Sequence, residues 1–439
     1  MNTVDLLNNQ HIFLYPRGQC VLLKSEHIIY SLKGQKPYRV NQDGYKILKY
    51  MNEGITFFHL KQLLEIHSLK KEKKLANFLN DLIEKQFLTF REDEKGKLVE
   101  KISKDNHHLL RVFLETTQRC NLRCKHCYVG DSEYSHFFNE LTEKEEIEII
   151  RQAEKMGVIQ FDFTGGELFV KKGIRNILKA AAKASMFSNI FTNAILIDEE
   201  TAIFLKELGN IHTVYVSLDD MYAEGHDCFR GVKGAYEKTI NALEILKKYK
   251  IPTVINLIIN RKNHLRLKEI ILFYKNTLQI PCRVAPILYV GRGLCMWEER
   301  LSLEEIMKAI MQWYDAYGIP PLMDGITGKE LNLATNCGIG ESMVFIKADG
   351  EVSLCPTLTS KESEKFNLGN IRKQSLEDIW NTSENLNDFR NLFCKQSNCT
   401  YAPLCRSGCR SRAFLWNKDI RAEDPVPCHF FHTLGNLNH

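Results

Sequence analysis

A chain of 439 residues, 44% hydrophobic and 26% charged, has room for about three domains and enough apolar material for a large core. No apolar run reaches the length of a membrane span, and a net charge of +5 is too mild to argue for nucleic acid, so neither a membrane nor DNA is an expected partner. The opening Met1-Asn-Thr-Val-Asp5 lacks the basic-then-apolar layout of a secretory signal; the cytoplasm is the expected compartment, and the 14 cysteines are expected to be reduced metal ligands rather than disulfides.

Residues 1–105 read as a module of their own. Ile12 to Tyr15, Cys20 to Leu23 and Ile28 to Leu32 are strand candidates separated by turn residues. Tyr45 to Met51 is helical, and Leu75, Phe78, Leu79, Leu82 and Ile83 recur at helical spacing before the strand-like Phe87 to Arg91. The pattern is winged-helix-like. An exposed edge strand beside a helix groove suits an extended peptide added to the sheet. A packing domain and a DNA reader are the alternatives; the latter would use Lys70, Lys71, Lys73 and Lys74 in an iron-sulfur redox-sensing regulator. Glu92 to Lys97 is a charged turn, and the residues up to about 108 read as linker.

From Leu110 apolar strands alternate with amphipathic helices, the pattern of a parallel α/β fold. Within it, Cys120, Cys124 and Cys127 stand at a C-x3-C-x2-C spacing that holds three corners of one iron-sulfur cube and leaves the fourth iron open. Zinc would need a nearby fourth ligand, and His126 lies awkwardly between two of the thiols. Phe161 to Val170 is a short apolar strand running into Gly165-Gly166-Glu167, where the missing side chains allow a carboxylate and backbone to approach an amino group. Thr142 to Glu145 is a capping box opening a helix to Met156. Ile190 to Thr192, Thr213 to Leu218, Thr253 to Asn260 and Val284 to Val290 are strands, and Ala235 to Lys248 is a helix. The cysteine triplet followed by Gly-Gly-Glu at the next strand end resembles the radical S-adenosylmethionine (SAM) enzymes. That resemblance implies a partial (β/α)6 barrel over residues 106–325, with the site at the strand C-termini. It implies SAM on the open iron, Glu167 on the methionine amino group, and Gly165 and Gly166 beside it. Asn193, Ser217 and Asp219 are then candidates for the ribose or carboxylate, and His126 for a backbone contact to adenine. Ala194 stands where relatives commonly show glycine; Arg230 and Arg261 are either structural or partners of the carboxylate.

Seven cysteines return beyond residue 330: Cys337, Cys355, Cys394, Cys399, Cys405, Cys409 and Cys428. Over residues 326–439 their spacing resembles the SPASM extension of radical SAM peptide maturases, with a C-x4-C opening in place of the usual C-x2-C. The resemblance implies two auxiliary [4Fe-4S] clusters besides the SAM cluster, three in all. Cys394, Cys399, Cys405 and Cys428 would complete one; Cys337, Cys355 and Cys409 would hold the other, with Cys282 or Cys295 as candidates for its fourth corner. The segments around Thr164 to Val170, His226 to Gly231 and Leu368 to Ile371 resemble sactipeptide maturases of the subtilosin type, and the first module resembles the peptide-recognition element of such enzymes. These likenesses imply a 5′-deoxyadenosyl radical that starts an intramolecular thioether crosslink in a ribosomal precursor peptide held by its leader. A flavodoxin- or ferredoxin-type protein would supply electrons. A carbon-carbon link such as the Lys-Trp bond of streptide-type maturases is the alternative, and the residues leave the general base open.

Overall fold

The computed structural model describes residues 12–18, 20–23, 27–31, 38–101, 107–129, 139–184, 186–318, 338–358, 365–390, 394–395, 399–401, 405 and 407–437. The N-terminal module has its own core, built on Leu14, Leu22, Leu48, Leu60, Leu79 and Phe87. Strands β1 (Phe13–Pro16), β2 (Cys20–Leu23), β3 (Ile28–Ser31) and β4 (Tyr38–Arg39) precede helix α1 (Gln42–Lys49), which Asn41 caps by accepting from the Gly44 N–H. Then come β5 (Ile55–Thr56), α2 (Phe57–Leu63), α3 (Leu69–Glu84) and β6 (Leu88–Thr89). Lys70, Lys71, Lys73 and Lys74 lie on the solvated side of α3. One departure concerns the segment read as linker: Leu98–Lys101 is a strand, β7, that runs parallel to β2 and completes a sheet of order β4-β3-β2-β7. Burial of Leu98 in the module core explains why this short charged stretch is extended.

Six parallel strands follow in chain order: β8 (Arg111–Glu115), β9 (Gln160–Thr164), β10 (Phe187–Thr192), β11 (Ile211–Ser217), β12 (Thr253–Ile259) and β13 (Cys282–Pro286). Their connections carry helices: α4 (Glu143–Met156), opened by the Thr142–Glu145 capping box, α5 (Ile174–Lys183), α6 (Glu199–Leu208), α7 (Ala223–Arg230), α8 (Ala235–Lys248) and α9 (Leu267–Leu272). One face of the sheet is wholly apolar and packs on the helices, through Val112, Leu114, Phe161, Phe163, Val214, Val216, Ile255 and Leu257. The other face carries Arg111, Phe113, Asp162, Asn189, Phe191, Tyr215, Asn256 and Arg283, which are polar or aromatic. Phe113 and Phe191, two strands apart, have ring centroids only 5.2 Å apart. Adjacent strands stand about 4.8 Å apart, so the contact requires a strongly curled sheet with this face inside. The strands therefore form a partial barrel with a polar and aromatic lumen.

Beyond α10 (Leu303–Tyr317), β14 (Met343–Ile346) adds to the free side of β8 in parallel register, Met343 facing Arg111 and Ile346 facing Leu114. Strands β15 (Glu351–Ser353) and β16 (Asn367–Asn370) continue the sheet antiparallel, giving nine strands in the order β13-β12-β11-β10-β9-β8-β14-β15-β16. The cysteine-rich segment thus shares a sheet with the barrel, which the cysteine spacing alone did not indicate. Helices α11 (Leu376–Thr382), α12 (Glu384–Arg390), α13 (Arg410–Asn417) and α14 (Pro425–Leu437) complete it. No helix among the described residues is long and apolar enough to cross a membrane.

Candidate functional site

The triplet occupies the loop after β8, and its shape is set by the loop after β9. Gly166 and Glu167 donate their N–H groups to the carbonyls of Thr117 (2.7 Å) and Arg119 (2.8 Å). A Cβ on Gly165 would lie 2.6 Å from the Thr117 carbonyl oxygen, and one on Gly166 would lie 2.4 Å from that of Arg119. Both glycines are therefore required by the close approach of two backbones. Cys120, Cys124 and Cys127 then share a small apolar cluster with Leu122 and Ala235. Cys120 accepts from the Leu122 N–H at 3.3 Å, Asn193 Nδ2 stands 3.9 Å from the same sulfur, and Arg230 Nη1 reaches the Cys124 sulfur at 3.7 Å. Burial pushes the Cys120 thiol up to about 12, so holding a thiolate there calls for a cation or metal. Among the described residues no three His, Cys, Asp or Glu side chains gather on a single metal-ion position. The trio shares one patch of the loop.

Glu167 is 1% exposed. Its carboxylate accepts from the Asn193 N–H (2.8 Å), the Phe169 N–H (3.2 Å) and the Thr192 hydroxyl (2.9 Å). Burial nevertheless raises its pKa to about 7, so a cationic partner is what would keep it ionised. Asn193 also donates its side chain to Asn121 at 2.7 Å, tying the end of β10 to the cysteine loop. Ala194 takes a left-handed φ of 65°, the backbone state that favours glycine. Ser217 ends β11 in the concave row that also holds Asn256 and Arg283.

Asp219 sits just past β11, 1% exposed. Its Oδ2 accepts from Arg230 Nε at 2.6 Å and its Oδ1 from the Ile258 N–H at 3.1 Å. Burial opposes its ionisation, but the Arg230 guanidinium holds it below the ordinary range. Its own N–H donates to His226 Nδ1 at 3.3 Å, which puts the imidazole proton on Nε2. Arg230 itself is buried, and its Nη2 has no hydrogen-bond partner among the described residues, leaving one cationic edge free beside the thiol trio. Arg261 instead turns outward to Glu305 and the Arg300 carbonyl. The His126 ring stacks on Phe229 with centroids 4.3 Å apart, and burial lowers its pKa to about 3. Sequence reasoning missed Arg292, whose N–H and Nε donate to the carbonyls of Cys127 (2.9 Å) and Cys124 (3.0 Å). The signal was available in Gly291, whose φ of 58° lets the turn press on the Cys127 and Tyr128 carbonyls.

In the second array, Cys405 feels the charges of Cys428 and Cys394, and Cys428 those of Cys399 and Cys394, so these four thiols lie together. Burial pushes Cys405 up to about 11. Cys409 caps α13: its sulfur accepts from the Arg412 N–H (3.4 Å), and its own N–H is held by Asp424 (2.6 Å), which also takes the Arg412 fork. The Cys355 sulfur lies 3.2 Å from the Thr357 hydroxyl, which in turn bonds Ser411 on α13, bringing Cys355 towards Cys409. Cys337 lies outside the described residues. Cys282 starts β13, buried, with its N–H bonded to the Tyr317 hydroxyl at 2.8 Å. Cys295 is exposed on the turn that carries Arg292. Cys228 lies between two lysines, its sulfur 3.5 Å from Lys262 Nζ and 3.6 Å from Lys125 Nζ.

Residues 114–273 match the Radical SAM superfamily model, and residues 337–410 match SPASM, an iron-sulfur cluster-binding domain. The AdoMet-dependent heme synthase of Oleidesulfovibrio alaskensis is 26% identical over 344 residues, covering 72% of this chain and 86% of its own. The sporulation killing factor maturation protein SkfB of Bacillus subtilis is 27% identical over 305 residues, covering 68% and 70%. Among solved structures, Streptococcus suis SuiB bound to precursor peptide SuiA is similar with a TM-score of 0.67 at 18% identity, covering 94% of this chain and 98% of that one.

Proposed function

We propose that this chain, a radical SAM protein with a SPASM iron-sulfur extension, is a maturase that crosslinks a ribosomally made peptide. The observation that carries the reading is the reach of the structural likeness: the SuiB fold spans 94% of the chain, N-terminal module included, whereas the heme synthase match spans 72%. A separate module whose sheet ends in the outer strands β4 and β7 is of the kind that takes up an extended leader peptide. SAM on the trio's cluster supplies, when reduced, a 5′-deoxyadenosyl radical.

The chain's own residues have separable tasks in this reading. Cys120, Cys124 and Cys127 hold the SAM cluster, Asn193 and Arg292 fix their loop, and Glu167 takes the methionine amino group. The free Nη2 edge of Arg230 suits the methionine carboxylate. Ser217 lines the approach to the ribose, while Asp219 serves indirectly by orienting Arg230. His126, packed on Phe229, presents backbone rather than its ring. Cys394, Cys399, Cys405 and Cys428 hold one auxiliary cluster; Cys355, Cys409 and Cys337 hold a second. Residues 1–105, 106–325 and 326–439 are the leader-binding, radical and electron-handling parts. The proposed link is a thioether, and a flavodoxin or ferredoxin is the fitting electron donor. Anaerobic protein with SAM and dithionite is expected to release 5′-deoxyadenosine, and the precursor encoded beside its gene to lose two hydrogens by mass spectrometry. Absence of 5′-deoxyadenosine sinks the radical chemistry; nucleoside release with an unaltered peptide sinks the peptide.

A further inference from the structure

The barrel lumen contains a feature that none of these roles uses. Phe113, Phe191 and Tyr215, from β8, β10 and β11, form a continuous aromatic floor, with Phe191 and Tyr215 stacked at 4.7 Å and 14°. Arg283 reaches over it from β13, its guanidinium carbon 4.1 Å from the Tyr215 ring centre and 5.3 Å from that of Phe191. Asn256 Oδ1 accepts from its Nε at 2.8 Å and so fixes the plane of the group. Arg283 keeps solvent access, although the surrounding walls lower its pKa by desolvation.

The charges around it do not balance. Asp162 is the carboxylate whose field reaches Arg283, yet Asp162 is already paired with Arg111 and accepts from Asn189 Nδ2 at 2.8 Å. Two guanidiniums thus share one carboxylate, and Arg283 has no ion pair among the described residues. Stacking occupies the face of the guanidinium and Asn256 occupies Nε, which leaves the terminal N–H groups as a fork of the kind that binds carboxylates in two-point fashion. Arg283 stands in the same register row as Asn256 and Ser217, on the concave face of the sheet.

We propose that the lumen is a specificity pocket in which Arg283, stacked on Tyr215, receives a carboxylate of the peptide being modified. This rests on the peptide reading above. The probes are N-acetylglutamate amide, N-acetylglutamine amide and N-acetylglycine, titrated by ligand-observed NMR into cluster-reconstituted wild type, R283Q and R283K. Wild type is expected to bind the glutamate probe about tenfold more tightly than the glutamine probe. R283Q is expected to abolish the difference, R283K to retain part of it, and both to keep wild-type affinity for SAM. Stronger binding of N-acetylglycine than of the glutamate probe supports the pocket and assigns it to the peptide's C-terminus. Equal binding of the glutamate and glutamine probes by wild type overturns the proposal, as does loss of SAM affinity in R283Q, which would give Arg283 to the cofactor. Carboxylate selectivity alongside an unmodified precursor overturns the peptide reading and leaves the pocket standing.

Discussion

Glu167 is a buried carboxyl whose orientation its own neighbours fix. Three donors fix its orientation, yet burial puts its pKa at about 7 against an ordinary 4.5. Because the folded value is raised, its ionisation costs stability, and the cost grows as pH rises from 4.5 through about 7. Glu167→Gln is therefore expected to gain in thermal midpoint relative to wild type over that window in SAM-free protein. In the presence of SAM the order reverses, because only the carboxylate pairs with an ammonium; affinity for SAM is expected to fall on the order of tenfold or more. Thermal melts across pH with and without SAM check both; a constant offset between the two proteins would remove Glu167 as the group responsible. The place of Glu167 just beyond a strand end was legible from Gly-Gly-Glu alone. The work of its two glycines was not, since a sequence shows missing side chains but not the backbone that fills the space.

At the scale of elements, Lys171 is a fastener. Its ammonium donates to the Thr116 carbonyl (2.6 Å), the Leu141 carbonyl (2.8 Å) and Glu146 Oε1 (2.6 Å), joining the end of β8, the entry to α4 and α4 itself. Burial raises Glu146 to about 8 even with Lys171 beside it. Lys171→Met is expected to cost about 3–5 kcal/mol, since it strands a buried carboxyl and two carbonyls. The loss is expected to deepen with rising pH as Glu146 ionises without a partner, and chemical denaturation at two pH values measures it. A cost below about 1 kcal/mol would mean that water replaces the ammonium. Helix α4 and helix α8 were legible to the residue, because capping boxes and apolar spacing are local signals. Strand β7 was not, because four residues carry no period of their own and owe their shape to β2.

At the scale of the molecule, the partial barrel and the cysteine-rich extension were both legible, one from alternation and one from spacing. Their fusion was not: the pairing of β14 with β8 joins residues more than two hundred positions apart, and nothing in Met343 to Ile346 names its neighbour. One shared sheet and one shared core predict that barrel and extension unfold together. Calorimetry is expected to show a single transition for both, with the N-terminal module, which has a separate core, free to melt apart. Separate transitions for barrel and extension would contradict the shared sheet. The seam between β8 and β14 has a further consequence for motion. A hinge between the two segments would have to break this hydrogen-bonded ladder, so the extension is expected to ride with β8 as one piece rather than swing away from it.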